Sequence, residues 1–200
     1  MKSQDILLML KIISLSKQYS DNSSLQEELP LDWLNISRNE SFVIHRKKSP
    51  FSIRSIAEDL GISKTEIAAS MQRLDKLNLI KTHNSNPKIS ANKKILLELI
   101  QYAVPYFFPA EVSGISRGTP TSFAAPILIG KMMSAGELAY VWSDERGSTK
   151  GLQISPLYPS VPIAIRGDDL LYNYLALVDA IRIGNPREKA FSIELLREII

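Results

Sequence analysis

Residues 55–80, "SIAEDLGISKTEIAASMQRLDKLNLI", constrain the fold of this chain more than any other stretch. Ser52 stands where a helix N-cap belongs. At 100° per residue Ile53, Ile56 and Leu60 share one face, with small Ala57 at its edge leaving room for a close neighbour. Gly61 stops this helix, because glycine reaches a positive φ cheaply, and Ile62 plugs the turn. Ser63 opens a second helix through a capping box: its hydroxyl serves the Glu66 amide, and the Glu66 carboxylate returns to the Ser63 amide. Ile67, Met71 and Leu74 face inward, with Ser70 and Leu77 beside them. Asn78 takes the helix exit, where Asn ranks after Gly. Leu79 and Ile80 begin a strand, "HNSNPK" turns, and "ISAN" returns.

The outward face of the second helix decides its use. Opposite the apolar stripe lie Thr65, Ala69, Gln72 and Lys76, flanked by Ala68, Lys64 and Arg73. Small side chains allow close approach, and the Gln72 amide can pair with an adenine edge. Ser63 and the free amides behind it can hold a phosphate. Lys81, His83, Lys88, Lys93 and Lys94 surround the hairpin, and Arg46, Lys47 and Lys48 precede the motif. Residues 38–94 carry twelve Lys or Arg against five acids, whereas residues 101–200 carry nine against ten. Positive charge is thus concentrated around this motif, as an element facing a polyanion requires. The expected contacts to DNA are Ser63, Lys64, Thr65, Ala69, Gln72, Arg73, Lys76, Lys81, His83 and Lys88.

Ile56, Ala57, Leu60, Gly61, Ile62, Ser63, Ile67, Leu74, Leu77, Leu79 and Ile80 fall where winged helix-turn-helix regulators place their core. Residues 51–90 resemble the MarR-like and related bacterial groups of such regulators. With the residues above, that resemblance implies a sequence-specific transcriptional repressor that binds double-stranded DNA as a homodimer, its paired helices reading a pseudo-palindromic operator. The same motif also occurs in proteins that bind only protein. An interaction module, antitoxin-like or defence-associated, is therefore the alternative function.

Asp5–Lys17 is expected to be helical and apolar over more than half its circumference, so it needs cover from the core, from another domain or from a dimer seam. Residues 20–50 look like an insertion: "YSDNSS" is loop, Ser24–Ile36 a short helix, and "FVIHRKKSP" a short strand with a basic turn. Asn92–Tyr102 is a helix. "SGISRGTPTSFAAP" is a long loop, and "ELAYVWSDERGSTKGLQIS" a hairpin turning at Arg146-Gly147. "PLYPSVP" is a second rigid loop. Asp168 caps a helix to about Ile183, and "NPRE" is a capping box for the last one. The expected class is mainly α with small β-hairpins. It divides into a winged helix-turn-helix domain over 1–100 and a C-terminal α+β dimerisation or sensing region over 101–200. The pieces "VPYFFPAE", "RGTPTSFAAP", "PLYPSVP" and "LLYNYLALVDAIRIGNPREKA" are similar to an uncharacterised group of bacterial helix-turn-helix proteins, which implies nothing beyond DNA binding.

Composition removes several chemistries. With no cysteine there are no disulfides, thiolate metal sites or cysteine nucleophiles. Two histidines far apart in sequence, His45 and His83, make no metal site by themselves. "GISRG" lacks the Lys-Ser/Thr of a phosphate loop. No catalytic residue, cofactor or metal is expected. Tyr106, Phe107, Phe108, Trp142 and Tyr158 either line a pocket for a small-molecule effector or are core. The apolar run Ile6–Leu10 is too short for a membrane span, and Lys11 ends it, so a cytoplasmic protein without membrane contact is expected.

Overall fold

The computed structural model describes residues 1–26, 49–82, 89–131 and 138–200. Its centre is a pair of helices buried on all sides. In α1 (Ser3–Gln26) every residue from Gln4 to Leu15 is buried, and in α7 (Asp169–Ile183) every residue from Tyr174 to Arg182 is buried. Eight large apolar side chains on α1 contribute roughly 1.5–3 kcal/mol each by leaving water. Their cover comes from this chain, from α3 (Lys64–Lys76), β2 (Ile89–Ala91), α4 (Lys93–Tyr102) and α7. The apolar character of α1 therefore does not call for a second subunit. Helix α1 also runs on through residues 19–24, expected as loop, since each residue added to a formed helix gains a bond without a new nucleus. The helix expected over Ser24–Ile36 lies otherwise outside the described residues, as does the strand expected after it.

The first layer on α1 is the motif read above. Helix α2 (Ile53–Leu60) is capped by Ser52, which accepts from the Ser55 amide at 3.1 Å. Gly61 ends it at φ 62°, and the Ile62 amide reaches back to the Ala57 carbonyl. Strand β1 (Ile80–Thr82) pairs antiparallel with β2, with Ile80 opposite Ala91 and Lys81 opposite Ser90. Two apolar residues differ from expectation. Ile53, on the first turn of α2, and Leu77, beyond the last turn of α3, are both exposed, because helix ends outrun the neighbours that bury their middles.

Past α4 and the short helix α5 (Val104–Phe107), the chain forms a small closed barrel rather than a loop and a hairpin. Strand β3 (Val112–Pro120) occupies most of the expected loop. It pairs antiparallel with β5 (Thr149–Ile154) through Ile115–Arg117, and with β4 (Tyr140–Ser143) through Gly118–Pro120. The expected hairpin partners β4 and β5 instead run parallel, Tyr140 opposite Leu152. Three strands close this tightly only where a side chain is missing. A Cβ on Gly118 would lie 1.8 Å from the Trp142 carbonyl oxygen, and one on Gly151 2.1 Å from that of Ala139. Gly118, which suggests a loop, is a point where strands touch.

Part of "PLYPSVP" becomes α6 (Val161–Ala164), whose Ile163 packs beside Gly61. Asp168 caps α7 as expected, accepting from the Leu171 amide. Asn185 and Glu188 complete the capping box of α8 (Pro186–Ile199). The described residues are mainly helical with two small sheets, and one apolar core draws on both halves of the chain.

Candidate nucleic-acid interface

Helix α3 meets the molecule along two stripes and solvent along a third. Ile67 and Leu74 are buried in the core, with Met71 half-buried beside them. Roughly a quarter turn away, Glu66, Ser70 and Arg73 form a polar stripe that lies on the first turn of α1. The remaining face carries Thr65, Gln72 and Lys76, all exposed, with Ala69 half-buried between them. Ser63 and Lys64 are exposed at the helix entrance.

Ser63 makes half of the expected capping box, accepting from the Glu66 amide at 3.2 Å. The other half is replaced. The Glu66 carboxylate accepts from Gln4 Nε2 at 2.7 Å and lies 3.6 Å from Lys2 Nζ. The Gln4 amide first, and then Lys2, hold Glu66 below its ordinary value. At the far end Asn78 adopts φ 54°, as an exit residue should. The Leu79 amide then bonds the Leu74 carbonyl, and its own carbonyl accepts from Asn92, tying β1 and β2 to the end of α3.

Arg73 has an intramolecular partner that the sequence reading did not include. Its Nη2 lies 2.7 Å from Asp5 Oδ1 and its Nε 3.2 Å from Asp5 Oδ2, and the side chain is only 30% exposed. Burial would raise the Asp5 carboxyl, but bonds from Arg73, the Lys2 amide and Ser70 outweigh it and hold the group below its ordinary value. The fork of Arg73 is thus turned off the exposed face and fixed as a cation by Asp5. Among the described residues, Lys64, Lys76 and Lys81 form no ion pair. Lys81 stands exposed on β1, beside a shallow groove of about 210 Å³ lined by Asn78, Leu79, Ile80, Ser90, Ala91 and Asn92. Lys93 bonds the Ile200 carbonyl at 2.9 Å, and Lys94 is exposed next to it. His83 and Lys88, together with Arg46, Lys47 and Lys48, lie outside the described residues.

Ser63, Lys64, Thr65, Gln72, Lys76 and Lys81 are therefore exposed on or beside α3 and on β1, with Ala69 half-buried. Sequence reasoning missed the support behind them, Lys2, Gln4 and Asp5. One signal was available: polar residues leading an all-round apolar helix are carried into the core and need partners there.

The five aromatics read as pocket or core are divided between core and surface. Trp142 is buried, Phe108 and Tyr158 are half-buried against the core, and Tyr106 and Phe107 project at 80% and 76% exposure. Among the described residues no helix is long and apolar enough to cross a membrane. Compared with known proteins, the chain matches no family model, no curated protein and no solved structure.

Proposed function

We propose that this protein is a sequence-specific DNA-binding transcriptional regulator of the cytoplasm, of winged helix-turn-helix type, with α3 as its reading helix. One observation carries the reading: Thr65, Ala69, Gln72 and Lys76 form a single outward stripe on a capped helix whose other faces are anchored. The stripe spans about 16 Å at 1.5 Å per residue, enough to enter a major groove about 12 Å wide at an angle. Gln72 offers the amide for a base edge. Lys64, Lys76 and Lys81 supply charge for backbone phosphates without adding sequence information. A two-fold operator would require pairing of two copies, through a surface other than α1.

The test is a gel shift on the DNA upstream of the gene, with salt as a variable. Affinity should fall steeply as salt rises. Gln72→Ala should lose about 1–3 kcal/mol at one operator position while leaving non-specific binding near wild type. Binding indifferent to salt, or a Gln72 variant with an unchanged footprint, sinks the reading.

A protein-interaction module is the second reading, favoured by Tyr102, Tyr106 and Phe107, which stand exposed together at the α4–α5 corner. Absence of any duplex binding, with complex formation abolished by Tyr106→Ser, would install it instead.

A further inference from the structure

Apolar contact is non-directional, so Ile67 and Leu74 hold α3 against the core without fixing its rotation about its own axis. Rotation is what a reading helix must have right, since a shift of about 1 Å at a binding contact is costly. Among the described residues, the side-chain bonds that other elements make to α3 come from the N-terminal end of α1. Asp5, buried in the first turn of α1, accepts from Ser70 Oγ on one oxygen and from the Arg73 fork on both. The Lys2 amide, at 2.7 Å, fixes the same carboxylate from behind. Gln4 adds the bond to Glu66 one turn earlier on α3. Helix α1 is itself clamped: Lys11 Nζ lies 2.9 Å from both Asp59 on α2 and Asp168 at the cap of α7, and Ser14 donates to Asp168 at 2.6 Å.

We propose that Asp5 is a positioning residue for DNA reading: its carboxylate sets the rotation of α3 and thereby aims the stripe of Thr65, Ala69, Gln72 and Lys76. The inference rests on α3 being the reading helix. Asp5 touches no nucleic acid in this scheme and acts through Ser70 and Arg73. Removing it leaves Lys64, Lys76 and Lys81 in place, so the charge that binds any duplex remains. What is lost is the registration of one or two side chains against base edges.

The experiment presents the full chain and Asp5→Asn with a pool of random-sequence duplexes, then titrates the duplex preferred by wild type and a shuffled duplex of equal length. For Asp5→Asn, preference for the selected over the shuffled duplex should fall roughly tenfold, the worth of one base contact. Affinity for the shuffled duplex should stay within about twofold of wild type. An unchanged preference ratio, or an equal loss on both duplexes, overturns the proposal. Ser70→Ala, which removes one neutral donor and keeps the ion pair, covers the case in which Asp5→Asn does not fold; it should lower the ratio by roughly threefold. Amide hydrogen exchange on the same variants separates this proposal from the reading beneath it. Residues 64–76 should exchange faster than in wild type by about tenfold, with α7 unchanged. If wild type prefers no duplex, the DNA reading falls, and faster exchange confined to α3 still supports Asp5 as the residue that orients this helix. Exchange unchanged in α3 overturns that as well.

Discussion

Two buried carboxylates, Asp5 and Asp179, each hold an arginine, and they hold it in different surroundings. The Asp5 knot joins α1 to α3 at the rim, where Arg73 keeps 30% of its side chain in solvent. The Asp179 knot is sealed, with Asp179 and Arg182 side chains 1% and 2% exposed. There Asp179 accepts from Arg182 Nη1 at 2.6 Å, from Trp142 Nε1 at 2.6 Å and from Thr121 Oγ1 at 3.1 Å. Arg182 spends its other donors on the carbonyls of Phe108, Pro109 and Ser155. Burial pushes the Asp179 carboxyl above its ordinary value, and Arg182, Trp142 and Thr121 oppose that push. A sealed knot has one satisfied arrangement, so it joins the barrel to α7 as a fixed part. A rim knot can exchange its partner for water, so it orients a surface helix at moderate cost.

The largest effect should follow from breaking the sealed knot. Asp179→Ala leaves a buried guanidinium, an indole N–H and a hydroxyl without their shared acceptor. It should cost about 3–5 kcal/mol, the range for stripping one partner from a buried pair. Urea unfolding measures it, and a loss below about 1 kcal/mol would mean that water reaches Arg182 and that the two knots are alike. Because Trp142 sits in this knot, its fluorescence should change in the folded baseline of the variant.

A smaller effect is expected at the rim. Asp5→Asn keeps the volume and lets Arg73 turn to solvent, so the cost should be about 1–2 kcal/mol, near that of one lost charge-assisted hydrogen bond. The two variants unfolded side by side sharpen the comparison: Asp179→Ala should cost at least twice as much as Asp5→Asn. Equal costs would place Asp5 in the fixed scaffold and weaken the case that it tunes α3.

Neither knot is as legible in the sequence as the α2–α3 motif. The caps of α2 and α3, the Gly61 turn and the buried positions of α3 depend on neighbours a few residues apart, so they were legible from period and residue type. Exposed positions such as Gln72 and Lys76 followed from the same period. The bonds of Arg73 to Asp5 and of Trp142 to Asp179 span 68 and 37 residues, and no local pattern announces them. The barrel failed for the same reason. Gly118 signals a loop when read locally, and only the strands brought against it show that it is a close-contact point. Helix α1 was legible as apolar but not as central, because periodicity says how much cover a helix needs and not which elements supply it.

The smallest prediction concerns acid. Asp5 is held below its ordinary value of 3.8 in the folded protein, despite burial, by Arg73, the Lys2 amide and Ser70. A depressed folded pKa means that the unfolded chain takes up the proton first as pH falls. The contribution of Asp5 is therefore fully present above the ordinary Asp value and is lost as pH drops through the folded one. The stability difference between wild type and Asp5→Asn should stay flat from neutral pH down to about 5 and shrink below about 4. Glu66 is shifted in the same direction, so Glu66→Gln should remove part of the remaining acid sensitivity of the α1–α3 contact. Chemical unfolding of the three proteins across that range, followed by far-ultraviolet circular dichroism, gives the curves. A difference that instead grows toward acid would mean that burial, not the Arg73 fork, governs Asp5, and the rim knot would then titrate in the direction of the sealed one.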